Sequence, residues 1–149
     1  VPPRPLVLVN DRVDVARALA AEGRAGGHVG QEDTPIPLAR AVLGPHLLVG
    51  LSTHDGHQVA NSLALAVDYL GFGPVFASST KGYARGVGPL RALVARHATD
   101  KPLFALGGID GRNVSELAPV ARIAVGAAIL SVQDPRGSAR ELRRSLEPS

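Results

Sequence analysis

Two aspartates, Asp11 and Asp33, each stand just past a short apolar run. Carboxylates on neighbouring loops can hold Mg²⁺, a hard cation that keeps water and substrate phosphate in its remaining positions. A plainer reading is open for each. Asp11 precedes a helical stretch beginning near Val13 and could serve as its N-cap. Asp33 precedes Thr34-Pro35 and could be a turn residue. A second group lies in the loop Gly73-Pro74-Val75-Phe76-Ala77-Ser78-Ser79-Thr80-Lys81-Gly82. Its three hydroxyls and one ammonium suit phosphate oxygens. The alternative is a polar surface loop. A third group is Gly107-Gly108-Ile109-Asp110, running toward a helix near Asn113. Glycines let backbone amides approach an anion, although a tight turn with positive φ would need them as well. His54 follows Ser52-Thr53 and is a candidate acid or base, since an unperturbed imidazole titrates near ~6.5. His28 lies inside an apolar run and reads as a structural residue with satisfied nitrogens. His46, His57 and His97 read as surface residues. No His-to-carboxylate spacing matches a zinc motif.

The elements that carry these groups repeat. Apolar runs recur at Leu6–Val9, Gly27–Val29, Leu47–Leu51, Tyr69–Phe72, Leu103–Leu106 and Ile123–Ala128. Each has roughly the 3–6 residues of a buried strand. Helical spacing predicts helices over Val13–Ala20, Gln58–Val67, Val87–Arg96 and Asn113–Val120. A terminal, Arg-rich amphipathic helix is predicted over Pro135–Leu146. Strands start about 20 residues apart, with a longer gap after the fourth. Alternating strands and helices imply a parallel sheet. Polar residues follow nearly every strand, as they do at the mouth of a (β/α) barrel. An open sheet would gather them at one switch point. The expected fold class is therefore α/β of the TIM-barrel kind, with about six strand–helix units present.

Composition narrows the function classes. The 149 residues suit one domain spanning 1–149, with 45% hydrophobic and 19% charged residues. Aromatics are scarce, so the core must be aliphatic. The formal charge is +3, but acids interrupt the basic residues. That patterning argues against a nucleic-acid partner. No Cys is present, so thiolate chemistry and disulfides are excluded. No run reaches the ~18 apolar residues of a membrane helix. A cytoplasmic protein acting on small molecules is expected. Met is absent and the chain opens at Val1, so the domain is expected to be N-terminally incomplete.

Six segments, in order, resemble thiamine-phosphate synthases. They are Val9-Asn10-Asp11-Arg12-Val13-Asp14, His28-Val29-Gly30-Gln31-Glu32-Asp33, Gly50-Leu51-Ser52-Thr53-His54, Asp68-Tyr69-Leu70-Gly71-Phe72-Gly73-Pro74-Val75-Phe76, Ser79-Thr80-Lys81 and Ala105-Leu106-Gly107-Gly108-Ile109. The resemblance implies a (β/α)₈ barrel that joins hydroxymethylpyrimidine diphosphate to thiazole phosphate and releases diphosphate. It implies Mg²⁺ on Asp11 and Asp33. Asn10 and Lys81 match residues on the diphosphate, and Ser52 matches a serine beside the reacting pyrimidine. Ser52 and Lys81 are thus the candidates at the reacting centre. Ser78, Thr80 and the Gly108 backbone match groups on the thiazole phosphate. Gly107, Gly126 and Ala127 fall on the same phosphate-binding stretches.

The departures are specific. The family carries two more strands before Leu6, the second ending in a Gln, Arg and Lys cluster; Arg4 does not replace it. Ala127 stands where the family has serine, and Ser78 where threonine is usual. The helix before Ile123 is shorter by about two residues, and Gly27 replaces a branched apolar residue. Missing strands would expose sheet edges and favour self-association into a homo-oligomer. Two other functions fit less well. One is a sister thiazole tautomerase, in which the histidine matching His54 is catalytic. The other is a non-catalytic binder of phosphorylated ligands. Retention of Gln31-Glu32-Asp33 favours the synthase over the first. Retention of Asp11, Asp33 and Lys81 favours it over the second.

Overall fold

A computed structural model describes residues 5–20, 25–78 and 84–147. Six strands form one parallel sheet in chain order. They are β1 (Val7–Asn10), β2 (Ala25–Val29), β3 (Leu48–Thr53), β4 (Tyr69–Phe72), β5 (Leu103–Leu106) and β6 (Ile123–Ala124). Between them run α1 (Val13–Leu19), α2 (Ile36–Leu43), α3 (Gly56–Ser62), α4 (Pro89–His97) and a 3₁₀ turn at Val114–Leu117. The short helix α5 (Ala127–Leu130) and the terminal α6 (Pro135–Arg144) follow β6. The strand order never reverses, so there is no switch point. Each crossover joins neighbouring parallel strands, a connection that is right-handed almost without exception and so keeps the helices on one face. This is the singly wound arrangement expected from the distributed polar loops.

Period-two alternation gives each strand two unlike faces. On the helix side, Val29, Val49, Leu51, Leu70, Phe72, Leu103 and Ala105 are buried. They join Ala16, Ile36, Ala39, Leu43, Val59 and Ala92 in one cluster. A Cβ on Gly27 would meet Leu43 and Val13, so close packing of helices α1 and α2 accounts for the missing side chain. The other face carries His28, Ser52, Tyr69 and Phe104. The sheet's edge strands among those described are β1 and β6. On β1, Val7 is 51% exposed.

Several predicted boundaries shift. Helix α2 was not among the predicted helices. Its second residue is Pro37, which the first helical turn accepts. The helix predicted over Gln58–Val67 stops at Ser62. There the Ser62 hydroxyl donates back to the Val59 carbonyl at 2.6 Å. The helix predicted over Asn113–Val120 is only the 3₁₀ turn at Val114–Leu117; Pro119, two residues on, has no N–H with which to extend a helical ladder. The strand predicted over Ile123–Ala128 ends at Ala124. The Gly126 carbonyl instead accepts from Ile129 and Leu130 to start α5.

At the amino ends of the strands, one guanidinium organises the backbone. Arg40 donates to the carbonyls of Gly44 (3.1 Å), Leu47 (2.7 Å) and Ala66 (2.7 Å), and to the Asp68 carboxylate (2.8 Å). That same Asp68 oxygen accepts from Val49 N–H at 2.7 Å. Lys101 donates to Leu65 and Val67 carbonyls from the opposite side. Arg40→Ala is expected to lower unfolding stability by about 2 kcal/mol, because it strips several half-buried acceptors at once. Urea unfolding checks this, and a loss below about 0.5 kcal/mol, the size of an ordinary surface effect, would contradict the role.

Candidate active site

The carboxyl ends of β1, β2 and β3 open onto a pocket of about 500 Å³ lined by Asn10, Asp11, Gln31, Glu32, Asp33 and Ser52, with His54 and Gln58 at its side. Of the residues singled out from the sequence, Asn10, Asp11, Asp33, Ser52 and His54 therefore share one site. Asp11 is a left-handed residue, φ 63°. Its N–H donates to the His28 carbonyl at 2.8 Å, ending β1 against β2. Aspartate tolerates this backbone better than most residues. Asp11 does not cap α1: Arg12 holds the N-cap position, with no side-chain cap. Arg12 turns aside to pair with Asp14 at 2.5 Å, which holds the Asp14 carboxyl down at about 2. Asp33 does shape a turn, since one carboxylate oxygen accepts from Gly30 N–H at 2.7 Å.

The donor set suits a hard cation. Asp11, Asp33 and Glu32 bring carboxylates to the pocket, and Asn10 and Gln31 bring amide oxygens. Among the described residues, no three His, Cys, Asp or Glu groups converge as a protein-only cage. Mg²⁺ does not require one, because it retains water and takes substrate oxygens.

Ser52 is anchored twice. Its carbonyl accepts from the Gln31 side chain at 2.6 Å. Its hydroxyl lies 2.9 Å from His28 Nε2, and His28 Nδ1 lies 2.9 Å from the Tyr69 hydroxyl. His28 has satisfied nitrogens, as expected, but they tie it to a candidate site residue. This chain and Gln58 were not anticipated from the sequence. The signal for the chain was the strand register. Asn10, His28, Gly50 and Tyr69 form one row across the sheet. A Cβ on Gly50 would fall 2.1 Å from the Tyr69 ring and 2.5 Å from His28 Nδ1. Glycine there lets the two rings stack over β3 with centroids 5.4 Å apart.

His54 donates from Nδ1 to the Gly73 carbonyl at 2.5 Å, and Gln58 accepts from the His54 N–H. The carbonyl can only accept, so the neutral ring carries its proton on Nδ1 and keeps the Nε2 lone pair. His46, His57 and His97 are exposed, as expected.

The glycine pair forms a second group. Gly107 and Gly108 have φ of 95° and 65°. A Cβ on Gly108 would lie 2.2 Å from the Ala77 carbonyl oxygen. Val75 and Phe76 N–H donate to the Leu106 and Gly107 carbonyls. The start of the β4 loop, leading to half-buried Ser78, is thereby sewn to the end of β5. The expected helix N-terminus near Asn113 is absent. Asn113 instead donates to the Gly108 carbonyl and accepts from Asp110 N–H. Arg112 holds the Asp110 carboxyl below its ordinary range. Gly126 and Ala127 are exposed at the end of β6. Thr80 and Lys81 lie outside the described residues.

Comparisons with known proteins agree on one family. A family model described as thiamine monophosphate synthase matches residues 4–129. A thiamine-phosphate synthase of Mycobacterium sp. (strain KMS) is 44% identical over 95% of this chain and 62% of that protein. One of Gloeobacter violaceus is 45% identical over 87% of this chain and 38% of that protein. The chain thus spans less than two thirds of the length of these curated relatives. Among solved structures, a thiamine phosphate pyrophosphorylase from Pyrococcus furiosus superposes with TM-score 0.80 and 33% identity, covering 95% of this chain and 67% of that one. A nitroalkane oxidase of Streptomyces ansochromogenes, 22% identical with TM-score 0.56, shares the fold alone.

Burial raises the Tyr69 phenol from the ordinary 10.0 to about 12, and the nearby Asp68 charge adds to the shift. Between those values the unfolded chain loses the phenolic proton and the folded chain keeps it. Stability is therefore expected to fall as pH rises from about 10 to about 12. Tyr69→Phe should remove that slope and the corresponding late component of the tyrosinate absorbance titration. A Tyr69 component titrating at the ordinary phenol value would contradict this.

Proposed function

The chain belongs to the thiamine monophosphate synthase family, and we propose that it is a Mg²⁺-dependent transferase joining hydroxymethylpyrimidine diphosphate to thiazole phosphate. The products are thiamine phosphate and diphosphate. The single observation carrying the reading is the shared pocket of Asn10, Asp11, Asp33 and Ser52 at the ends of three adjacent strands. Four residues matched to one reaction converge on one site. The whole protein's eight-unit barrel, its cytoplasmic location, its self-association and the absence of a nucleic-acid partner belong to the same proposal. No helix among the described residues is long and apolar enough to cross a membrane.

In this reading the bond from the pyrimidine methylene to diphosphate oxygen breaks, and oxygen keeps the electron pair. The thiazole nitrogen lone pair then forms the new C–N bond. Asp11 and Asp33 hold the Mg²⁺ ion, which supplies charge neutralisation for the diphosphate. Asn10 donates to the departing oxygens, and Lys81 adds positive charge. Ser52 orients the pyrimidine. The Ser78, Thr80 and Gly108 stretch holds the thiazole phosphate, with the Gly107, Gly126 and Ala127 segments beside it. Holding both substrates aligned supplies much of the rate, because no protein nucleophile takes part.

One observation favours a second reading. His54, with its Nε2 lone pair kept by the Gly73 contact, is suited to moving a proton on a thiazole ring. The same assay separates the two, since a tautomerase interconverts thiazole phosphates without pyrimidine diphosphate.

Thiamine phosphate formation should require both substrates and Mg²⁺. Asp11→Asn and Asp33→Asn should each lower kcat/KM by about a hundredfold or more, as lost charge on a departing oxyanion does. Product formation that survives chelation unchanged would refute the metal assignment.

A further inference from the structure

Ser52 needs a defined hydrogen direction if it is to orient a ligand, and the residues behind it supply one. We propose that Tyr69, acting through His28, sets Ser52 as a hydrogen-bond donor to a lone-pair acceptor on the ligand in the pocket. The proposal rests on the transferase reading and adds a positioning role for two residues that the reaction itself does not require.

The argument follows the protons. Burial keeps Tyr69 a neutral phenol, with one O–H to place. Its partner among the described residues is His28 Nδ1, at 2.9 Å, and the proposal takes that nitrogen as the acceptor. A phenol that donates there requires a bare Nδ1 on the neutral ring. The ring proton must then sit on Nε2, 2.9 Å from Ser52 Oγ. The Ser52 oxygen accepts that proton, so its own hydrogen is available to the pocket that it lines. The opposite polarity would have the Ser52 hydroxyl donate backward to Nε2, leaving no hydrogen for a ligand. The geometry also holds the ring still. Tyr69 stacks on His28 at 29° and meets Phe104 edge-on at 5.8 Å. A Cβ on Gly71 would come within 3.4 Å of His28 Cε1, so glycine there leaves the imidazole room on its other side.

The test has two arms on the full chain. In the first, ¹⁵N NMR of the labelled protein near pH 8, where an imidazole is neutral, reads the His28 tautomer, with His28→Gln giving the assignment. Nε2–H with a bare Nδ1 is expected, and Tyr69→Phe should shift the ring toward the mixed tautomers of a free imidazole. A protonated Nδ1 in the wild-type chain overturns the proposal. In the second arm, Tyr69→Phe should lower kcat about tenfold, the effect of one lost positioning hydrogen bond, with both KM values within about twofold. Made in a Ser52→Ala background, the same change should cost little, because its effect passes through Ser52. Equal cost in both backgrounds overturns the proposal and assigns Tyr69 to packing alone. A folded wild-type chain that makes no thiamine phosphate counts against transferase activity of this chain and not against the hydrogen direction at Ser52, which the His28 tautomer decides by itself.

Discussion

A single absent side chain governs the face of the sheet turned away from the helices. Gly50 stands between His28 and Tyr69 in the cross-strand row. Neighbouring strands lie about 4.8 Å apart, so residues two strands away ordinarily do not touch. With glycine between them, the two rings close over β3 and join in a hydrogen bond. Ser52 sits two residues further along the same strand, above the stack, and takes its partner from it. Any side chain at position 50 would separate the rings and release Ser52 from its support.

The two faces of the strands divide the labour. Helix-facing residues are almost all aliphatic and form one continuous core. The opposite face is half-open and holds the His28, Tyr69 and Phe104 rings. The two ends of the sheet also differ. Arg40 and Lys101 lock the amino ends by donating to loop carbonyls, and Asp68 accepts from Arg40 and from the Val49 N–H, whereas the carboxyl ends gather acids, amides and hydroxyls. The packed core and the polar pocket thus draw largely on different residues, which lets the carboxyl ends carry like charges that a core would not tolerate.

Much of this was legible in the sequence, for identifiable reasons. All six strands appear as apolar runs because a parallel sheet packed under helices shows little polar alternation. The polar residues after them lie at the carboxyl ends of the strands, and Asn10, Asp11, Asp33 and Ser52 line one pocket there. Local chemistry misled at the edges. Helix α2, with Pro37 in its permissive first turn, was not predicted, and the apolar Ile123–Ala128 run concealed a switch from strand to helix at Gly126. Long-range pairing was invisible for a different reason. His28 and Tyr69 are 41 residues apart, and only the register brings them together. The same holds for Gln31 on the Ser52 carbonyl. Such contacts depend on which positions fall in one row, and a single sequence does not state that.

The glycines of the inner face also act as a ruler. Gly26, Gly50 and Gly71 sit on β2, β3 and β4, and a Cβ at any of them would meet a neighbour at 2.9 Å or less. Their hydrogens let Leu8, Tyr69 and Leu106 lie low across the strands as one layer on that face. The depth available to a planar guest is then set by backbone thickness plus one layer of side chains. Wider rings could be admitted by trimming the rim loops, but a deeper seat would require moving the strands themselves.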